Sequence, residues 1–327
     1  MGKLFSVITL TYNNFDRLEE TILSVCPQDS GDIEYIICDD GSKDFPEEQV
    51  VEWIENHKSL NLRRYMILRQ PKNVGTVQNI NYAYRHAKGD YYINLSCGDV
   101  FFEKQTISKI ASRMINRKAK MMVTSRLLYV DNFIPVGLVP HYSERKKLYQ
   151  MTARAVQREE FLNTRLYGMA SGSVLCSSRT AMEEMGFFDE RYILMEDSPL
   201  FANYLKRYKL ECCPELVSIW YEQGGVSTGN NRELSPILQK DTALFEQNER
   251  KDYQGPPSTF EKRNKKFLKA RRDAETKIHK IFCYLRYPVQ AGSFLTFKIG
   301  DRIKRIEDKQ AIKKVLTERS QAAVDGC

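Results

Sequence analysis

Three acidic segments carry most of the chemistry this chain could perform. Asp39 and Asp40 end an apolar run and precede Gly41-Ser42, Asp99 follows Gly98, and Glu196-Asp197 precede Ser198-Pro199. A carboxylate at a strand end can accept hydrogen bonds from the base or ribose of a nucleotide, or it can close an Asx turn and cap the next helix. A lone aspartate such as Asp99 suits Mg2+ or Mn2+, which keep water and substrate phosphates as their other ligands; the plain alternative is a turn residue. The Glu196-Asp197 pair can supply a general base at the mouth of a pocket, or can cap the helix whose first turn suits Pro199. Gly224-Gly225-Val226-Ser227 reads as a polar loop whose amides and hydroxyls can close over phosphates. No Gly-Lys-Ser/Thr ends a phosphate loop, and no G-x-G-x-x-G follows the first strand, which disfavours a nicotinamide-dependent dehydrogenase. His86 and His141 have no partner spacing that suggests a metal or a triad, and read as ordinary polar residues.

The elements that must position these groups alternate. Apolar runs at Leu4–Leu10, Tyr35–Cys38, Arg64–Leu68 and Tyr91–Leu95 read as buried strands. Between them, Asp16–Val25, Glu47–His57 and Thr76–Lys88 show helical spacing, the last with Val77, Ile80, Tyr84 and Ala87 on one face. Glu103–Arg117 follows with Ile107, Ile110, Met114 and Ile115. This order predicts an α/β fold with a Rossmann-like, mainly parallel sheet covered by helices on both faces. Ligands in such sheets bind beyond the carboxyl ends of the strands. Thr11-Tyr12-Asn13, Asp39-Asp40-Gly41-Ser42 and Ser96-Cys97-Gly98-Asp99 all fall there. Further on, Met121–Val130, Gly172–Cys176 and Glu211–Trp220 read as strands and Ser198–Tyr208 as a helix.

Gly255-Pro256-Pro257-Ser258 reads as a linker, dividing a body at 1–250 from a helical region at 251–327. Two helices are expected there, Phe260–Tyr287 and Thr296–Thr317. The 327-residue chain carries a net charge of +8, unevenly spread. Residues 251–327 hold 19 Lys and Arg against 9 Asp and Glu, whereas 1–250 hold 31 against 33. A body without a basic stripe is a poor nucleic-acid binder, so no nucleic-acid partner is expected. In the second helix Ile299, Ile303 and Ile306 share one face among many cations. That pattern suits peripheral contact with an anionic membrane, a homodimer through the C-terminal helices, or packing on the body with a solvated basic face. Eight scattered Cys without a C-x-x-C pair fit a reducing cytosol, the opening residues read as a strand rather than a signal peptide, and no apolar run reaches the length of a membrane span. A cytoplasmic location, at most peripheral at the inner face of the membrane, is expected.

The order and spacing of these pieces resemble the inverting family-2 glycosyltransferases of the GT-A fold, of the bacterial polysaccharide type, from about Leu4 to Asn231. The resemblance is carried by Phe5–Asn13, Ile36–Ser42, Asn73-Val74-Gly75 with Asn79, Gly89-Asp90, Gly98-Asp99, Gly186–Glu190, Glu196-Asp197 and Gly224–Ser227. It implies a nucleotide-sugar donor, UDP being the commonest nucleotide, and a saccharide or lipid-linked saccharide acceptor in cell-surface polysaccharide biosynthesis. By carry-over, Thr9, Thr11, Tyr12 and Asn13 line the nucleotide pocket with Asn79, and Asp39 or Asp40 reads base or ribose. Gly75 permits close backbone approach, Asp99 matches the last carboxylate of the metal motif for Mn2+ or Mg2+, and Asp197 matches the catalytic base, with Glu196 beside it. The chain departs from the pattern twice: Cys97 stands where the motif's earlier carboxylate belongs, and Gln78 where an Arg usually precedes Asn79. Two other readings are a non-catalytic nucleotide-sugar-binding module on a degenerate transferase fold, and a nucleotidyltransferase. The intact Glu196-Asp197 pair argues against the first, and the lack of a Gly-rich, basic activation loop near Thr11-Tyr12-Asn13-Asn14 argues against the second.

Overall fold

A computed structural model describes residues 3–29, 32–222, 235–250, 259–274 and 276–325. The Gly224–Asn231 loop and the Gly255–Ser258 linker lie outside the described residues. In chain order the first half runs β1 (Leu4–Thr11), α1 (Leu18–Val25), β2 (Asp32–Asp39), α2 (Glu47–His57), β3 (Leu62–Arg69), α3 (Thr76–His86), β4 (Tyr91–Asn94), β5 (Val100–Phe101) and α4 (Thr106–Asn116). The middle runs β6 (Met121–Val130), β7 (Ile134–Val139), α5 (Arg145–Gln150), α6 (Arg154–Thr164), β8 (Leu175–Ser178), α7 (Arg179–Met185), α8 (Asp197–Arg207), β9 (Glu211–Glu222) and α9 (Pro236–Phe245). Three helices close the chain: α10 (Thr259–Arg272), α11 (Lys277–Arg286) and α12 (Pro288–Asp325).

The strands form one sheet in the order β3-β2-β1-β4-β8-β6-β9-β5, with β7 paired to β6. β1 through β4 are parallel, as the alternation predicts, and their strand interiors are apolar because helices cover both faces. β1 and β2 run in register from Leu4 opposite Asp32 to Thr11 opposite Asp39, so their polar ends finish level. β8 then runs antiparallel to both β4 and β6. This reversal puts the turn before β8 beyond the carboxyl end of β4, where β6 and β9 also extend.

The helical faces pack much as their spacing predicts. Val77, Ile80, Tyr84 and Ala87 are all buried, as are Ile107, Ile110 and Met114. Ile115 is exposed, because it falls beyond Ala111 at the edge of the buried stripe. The segment expected as a strand at Gly172–Cys176 begins with a single 3-10 turn, Gly172–Val174, and only then enters β8. The helix expected over Phe260–Tyr287 is two, α10 and α11, and the one expected at Thr296–Thr317 extends to 38 residues as α12.

Helix α12 is joined to the body through its second half. Ile312 enters a cluster with Phe102, Leu127, Tyr129, Leu138, Val217 and Trp220, with Val315 and Leu316 packed against it. Asp308 accepts from the backbone N–H of Tyr142 at 2.9 Å and pairs with His141 Nδ1 at 2.5 Å. That bond raises the His141 pKa and makes His141 a tether for the tail. Lys304 reaches Glu144 at 2.5 Å.

Candidate active site

At the ends of β1 and β2 the two aspartates have different jobs. Asp39 is fully buried and accepts from both the backbone N–H (2.9 Å) and the hydroxyl (2.5 Å) of Ser42, the local turn foreseen as its plain alternative. Ser42 Oγ in turn accepts from the backbone N–H of Asn13 at 2.8 Å, which ties the β1 and β2 loops together. Asp40 reaches farther. Its two oxygens accept from the N–H groups of Val74 (2.8 Å) and Gly75 (2.9 Å), so it holds the loop that opens α3. Burial raises the Asp40 pKa, and those two N–H groups pull it back. Gly75 has φ +89°, and a Cβ there would stand 2.6 Å from Ile193 Cγ2 and 2.9 Å from Ile193 O. A glycine is therefore needed for the α3 entrance to touch the segment leading to Glu196.

Asp99 lies beyond β4 and is almost fully buried. Its Oδ1 accepts from the backbone N–H of Glu222 at 3.2 Å, and its Oδ2 has no hydrogen-bond partner among the described residues. Burial pushes the Asp99 carboxyl up to about 8; Glu222 adds to this, while the Glu222 N–H and the Arg126 charge oppose it. A buried carboxylate oxygen left without a donor costs free energy unless a proton or a cation satisfies it. Among the described residues no three His, Cys, Asp or Glu side chains group closely enough to hold a metal by themselves. The donor set still fits a divalent cation whose remaining ligands are phosphate oxygens and water, with Asp99 as protein ligand and the Glu222 carboxylate beside Gly98. Cys97 does not replace the missing carboxylate. Burial pushes its thiol up to about 12, and it donates to the Asn14 carbonyl at 2.9 Å.

Glu196 and Asp197 open α8, where the N-cap residue Glu196 makes no side-chain capping bond among the described residues. Ser178 and Ser235 do cap α7 and α9, so the capping alternative for Asp197 is not the one the fold uses. Among the described residues the Asp197 carboxylate accepts a single bond, 3.1 Å from Ser198 Oγ, and it is part-exposed. Burial, and then the charge of Asp197, raise the Glu196 pKa. Gly172 makes room for this pair: a Cβ there would lie 2.8 Å from Glu196 Oε1.

Two side chains that no spacing in the sequence singles out bind these segments together. Arg126 on β6 donates from Nη1 to Ser171 Oγ (2.7 Å) and Ser173 Oγ (2.9 Å), which flank Gly172, and its charge acts on Asp99. It thus spans from the Asp99 side of the crevice to the turn against Glu196. Asp241 on α9 is buried, and its Oδ2 accepts from three successive backbone N–H groups: Ile193 (3.0 Å), Leu194 (2.6 Å) and Met195 (3.0 Å). The three residues immediately before Glu196 are held by one carboxylate. Hydrogen bonds to a charged group contribute about 1.5–3 kcal/mol each, so Asp241→Ala should free this segment. We expect kcat to fall at least ~10-fold with donor binding retained, and Asp241→Asn, which keeps an acceptor oxygen, to recover part of it. Steady-state kinetics beside donor-induced thermal shifts would check this; unchanged kcat in Asp241→Ala would remove Asp241 from the site's support.

Contacts thus run from Asp40 through Gly75 to Ile193, three residues before Glu196, and Arg126, whose charge acts on Asp99, holds the serines that flank Gly172 against Glu196. Tyr12 and Asn13 are exposed on the β1 loop, and Thr11 bonds the Asn14 carbonyl. Thr9 and Asn79 are different. Thr9 is wholly buried against the Tyr35 hydroxyl (3.1 Å), and the Asn79 amide is engaged with Cys38, donating to its carbonyl at 3.1 Å. Both stabilise the floor of the crevice from inside.

A parallel sheet extended by antiparallel strands, with acidic groups gathered past its carboxyl ends, is the GT-A architecture of nucleotide-sugar-dependent glycosyltransferases. The chain belongs to glycosyl transferase family 2, whose profile matches residues 6–174, just over half of it. No curated protein is similar enough in sequence to match. Among solved structures it is similar to S. aureus TarS 1-349 in complex with UDP-GlcNAc (TM-score 0.55, 16% identity, covering 89% of this chain and 73% of that one). It is also similar to TarS 1-349 in complex with UDP (TM-score 0.51, 18% identity, 67% and 60% covered). A third is the mannosyltransferase PcManGT from Pyrobaculum calidifontis in complex with GDP-Man and Mn2+ (TM-score 0.50, 15% identity, 99% and 79% covered). Against another TarS structure the chain covers only 36% of the other's length. At these identities the likeness shows the fold. The chain carries a family-2 glycosyltransferase domain.

Proposed function

We propose that the chain transfers a sugar, with inversion, from a nucleotide-sugar donor, a UDP-sugar in the first instance, to a hydroxyl of a saccharide or lipid-linked saccharide during cell-surface polysaccharide assembly. The observation that carries this reading is the part-exposed Asp197 carboxylate beside Gly172, whose flanking serines are held by Arg126, the cation whose charge acts on Asp99. UDP is favoured because two of the similar structures hold UDP or UDP-GlcNAc; GDP-Man in the third is the reason to test more than one nucleotide.

Asp197 takes the proton of the acceptor hydroxyl while that oxygen attacks the anomeric carbon. The bond from this carbon to the diphosphate oxygen breaks on the opposite face, and its electron pair leaves with the nucleoside diphosphate. Arg126 offers a fixed cation toward the leaving diphosphate. Asp99, with Glu222 beside it, would hold a divalent cation, which when bound supplies neutralisation of the diphosphate charge. Tyr12 offers an aromatic face to the base, and the β1 and β2 loops joined by Asp39, Ser42 and Asn13 shape the nucleotide end.

Thermal shifts with UDP-, GDP- and dTDP-sugars, each with Mn2+ or Mg2+, test the donor. One nucleotide series should raise Tm by several degrees at concentrations about 100-fold above Kd, where ligand binding adds about 2.7 kcal/mol. The same donor should be slowly hydrolysed without an acceptor. No shift with any nucleotide sugar would overturn the reading.

A further inference from the structure

Helix α11 exposes a face built from Ile278, Ile281, Phe282 and Leu285, each between 56% and 71% accessible. Their spacing of three, four and seven residues makes a single stripe. The first half of α12 exposes a second stripe, Leu295, Ile299, Ile303 and Ile306, from 49% to 62% accessible. At 100° per residue this stripe lies on the opposite side of α12 from Asp308 and Ile312, which face the body. The question raised by the sequence therefore has a divided answer. The second half of α12 packs on the body, and the apolar stripe of its first half does not.

The hairpin that presents these faces is itself packed. Phe267 of α10 is fully buried, with ring centroids 6.0 Å from Tyr284, 6.1 Å from Tyr287 and 5.9 Å from Phe294. Eight large aliphatic or aromatic side chains thus remain outside a helical cluster that already has its own core. Scattered exposed apolar residues need no explanation, but two aligned stripes on adjoining helices do.

Charge decides what covers them. Residues 277–306 contain seven Lys and Arg against one Asp. Lys277 and Arg286 at the ends of α11, and Lys298 and Arg302 near the α12 stripe, are exposed. A second copy meeting this face across a two-fold axis would set the same cationic strip against itself. An anionic phospholipid surface instead takes apolar stripes into its acyl boundary and pairs its headgroups with the cations. Among the described residues no helix is long and apolar enough to cross a membrane, so the contact would be a lateral one.

We propose that α11 and the first half of α12 form a docking surface for an anionic bilayer. This goes beyond the sugar-transfer reading and does not need it. If that reading also holds, the surface brings the site to acceptors carried on lipid.

Sedimentation of the full chain with phosphatidylcholine vesicles, with and without phosphatidylglycerol, tests the proposal. Binding should rise at least ~10-fold with the anionic lipid and fall as salt screens the cations. Lys277→Glu with Arg302→Glu should cut it at least ~10-fold, at about fivefold per cation lost. Phe282→Ser with Ile303→Ser should cut it comparably at fixed charge. These positions are exposed, so Tm and any donor-induced shift should stay unchanged, which separates failure of docking from failure of the donor reading. Equal partitioning onto neutral and anionic vesicles, or wild-type binding by both double variants, would overturn the proposal. So would a dimer in solution that Phe282→Ser with Ile303→Ser converts to monomer, since the occupant would then be a second copy.

Discussion

Asp197→Asn is expected to lower turnover by about 10²–10⁴-fold, the usual range for a positioned general base. Donor affinity should change little. The substitution is nearly isosteric, and among the described residues the carboxylate is bonded by Ser198 alone and caps no helix. The neighbouring Glu196 supplies the contrast. Its carboxyl is set against Gly172, and burial together with the charge of Asp197 favours its protonated form. Rates under saturating donor, beside donor-induced thermal shifts, separate the two effects. Near-normal turnover in Asp197→Asn would move the proton transfer elsewhere, with Glu196 the next residue to test.

Asp99→Asn is expected to act in two directions. Neutralisation of a leaving diphosphate is worth several kcal/mol, so turnover should drop by roughly 10²-fold or more. Weaker donor binding in the presence of Mn2+ or Mg2+ should accompany it. In chelated, ligand-free protein the same variant should be more stable than the wild type at alkaline pH. The sign follows from the raised carboxyl. Folded Asp99 keeps its proton up to about 8, whereas an unfolded aspartate releases it near the ordinary value of 3.8. Between those pH values the folded state binds more protons, so wild-type stability falls as pH rises. The amide of the Asp99→Asn variant does not titrate and contributes no such slope. The Tm gap should be small near pH 4 and widen toward pH 8, by an amount on the order of 2–4 °C for each kcal/mol. A variant that tracks the wild type at every pH would show that Asp99 carries no buried-charge penalty.

Much of the candidate site could be read from the sequence because its proposed parts sit at strand ends. An apolar run followed by Asp39-Asp40-Gly41 or by Gly98-Asp99 is local information, and the parallel order of β1 to β4 follows from alternating periods. Asn79 and Thr9 show the limit of carry-over. The resemblance assigned them to the nucleotide end, whereas in the fold one is bonded to Cys38 and the other to Tyr35. Arg126 and Asp241 had no signal at all. Arg126 looks like one more polar residue in a strand, and Asp241 like one more acid on a helix. Their importance lies wholly in contacts made across 45 to 48 residues of chain.

By itself the sequence determined the class of fold, the four leading strands and the acidic groups beyond them, since each depends on neighbours a few residues apart. Only the tertiary structure decided that Asp40 grips the α3 entrance, that Gly75 and Gly172 let backbone close on Ile193 and Glu196, and that one half of α12 is docked while the other exposes its apolar stripe. Those outcomes depend on which distant surfaces meet and exclude water, and periodicity along a chain holds no record of that.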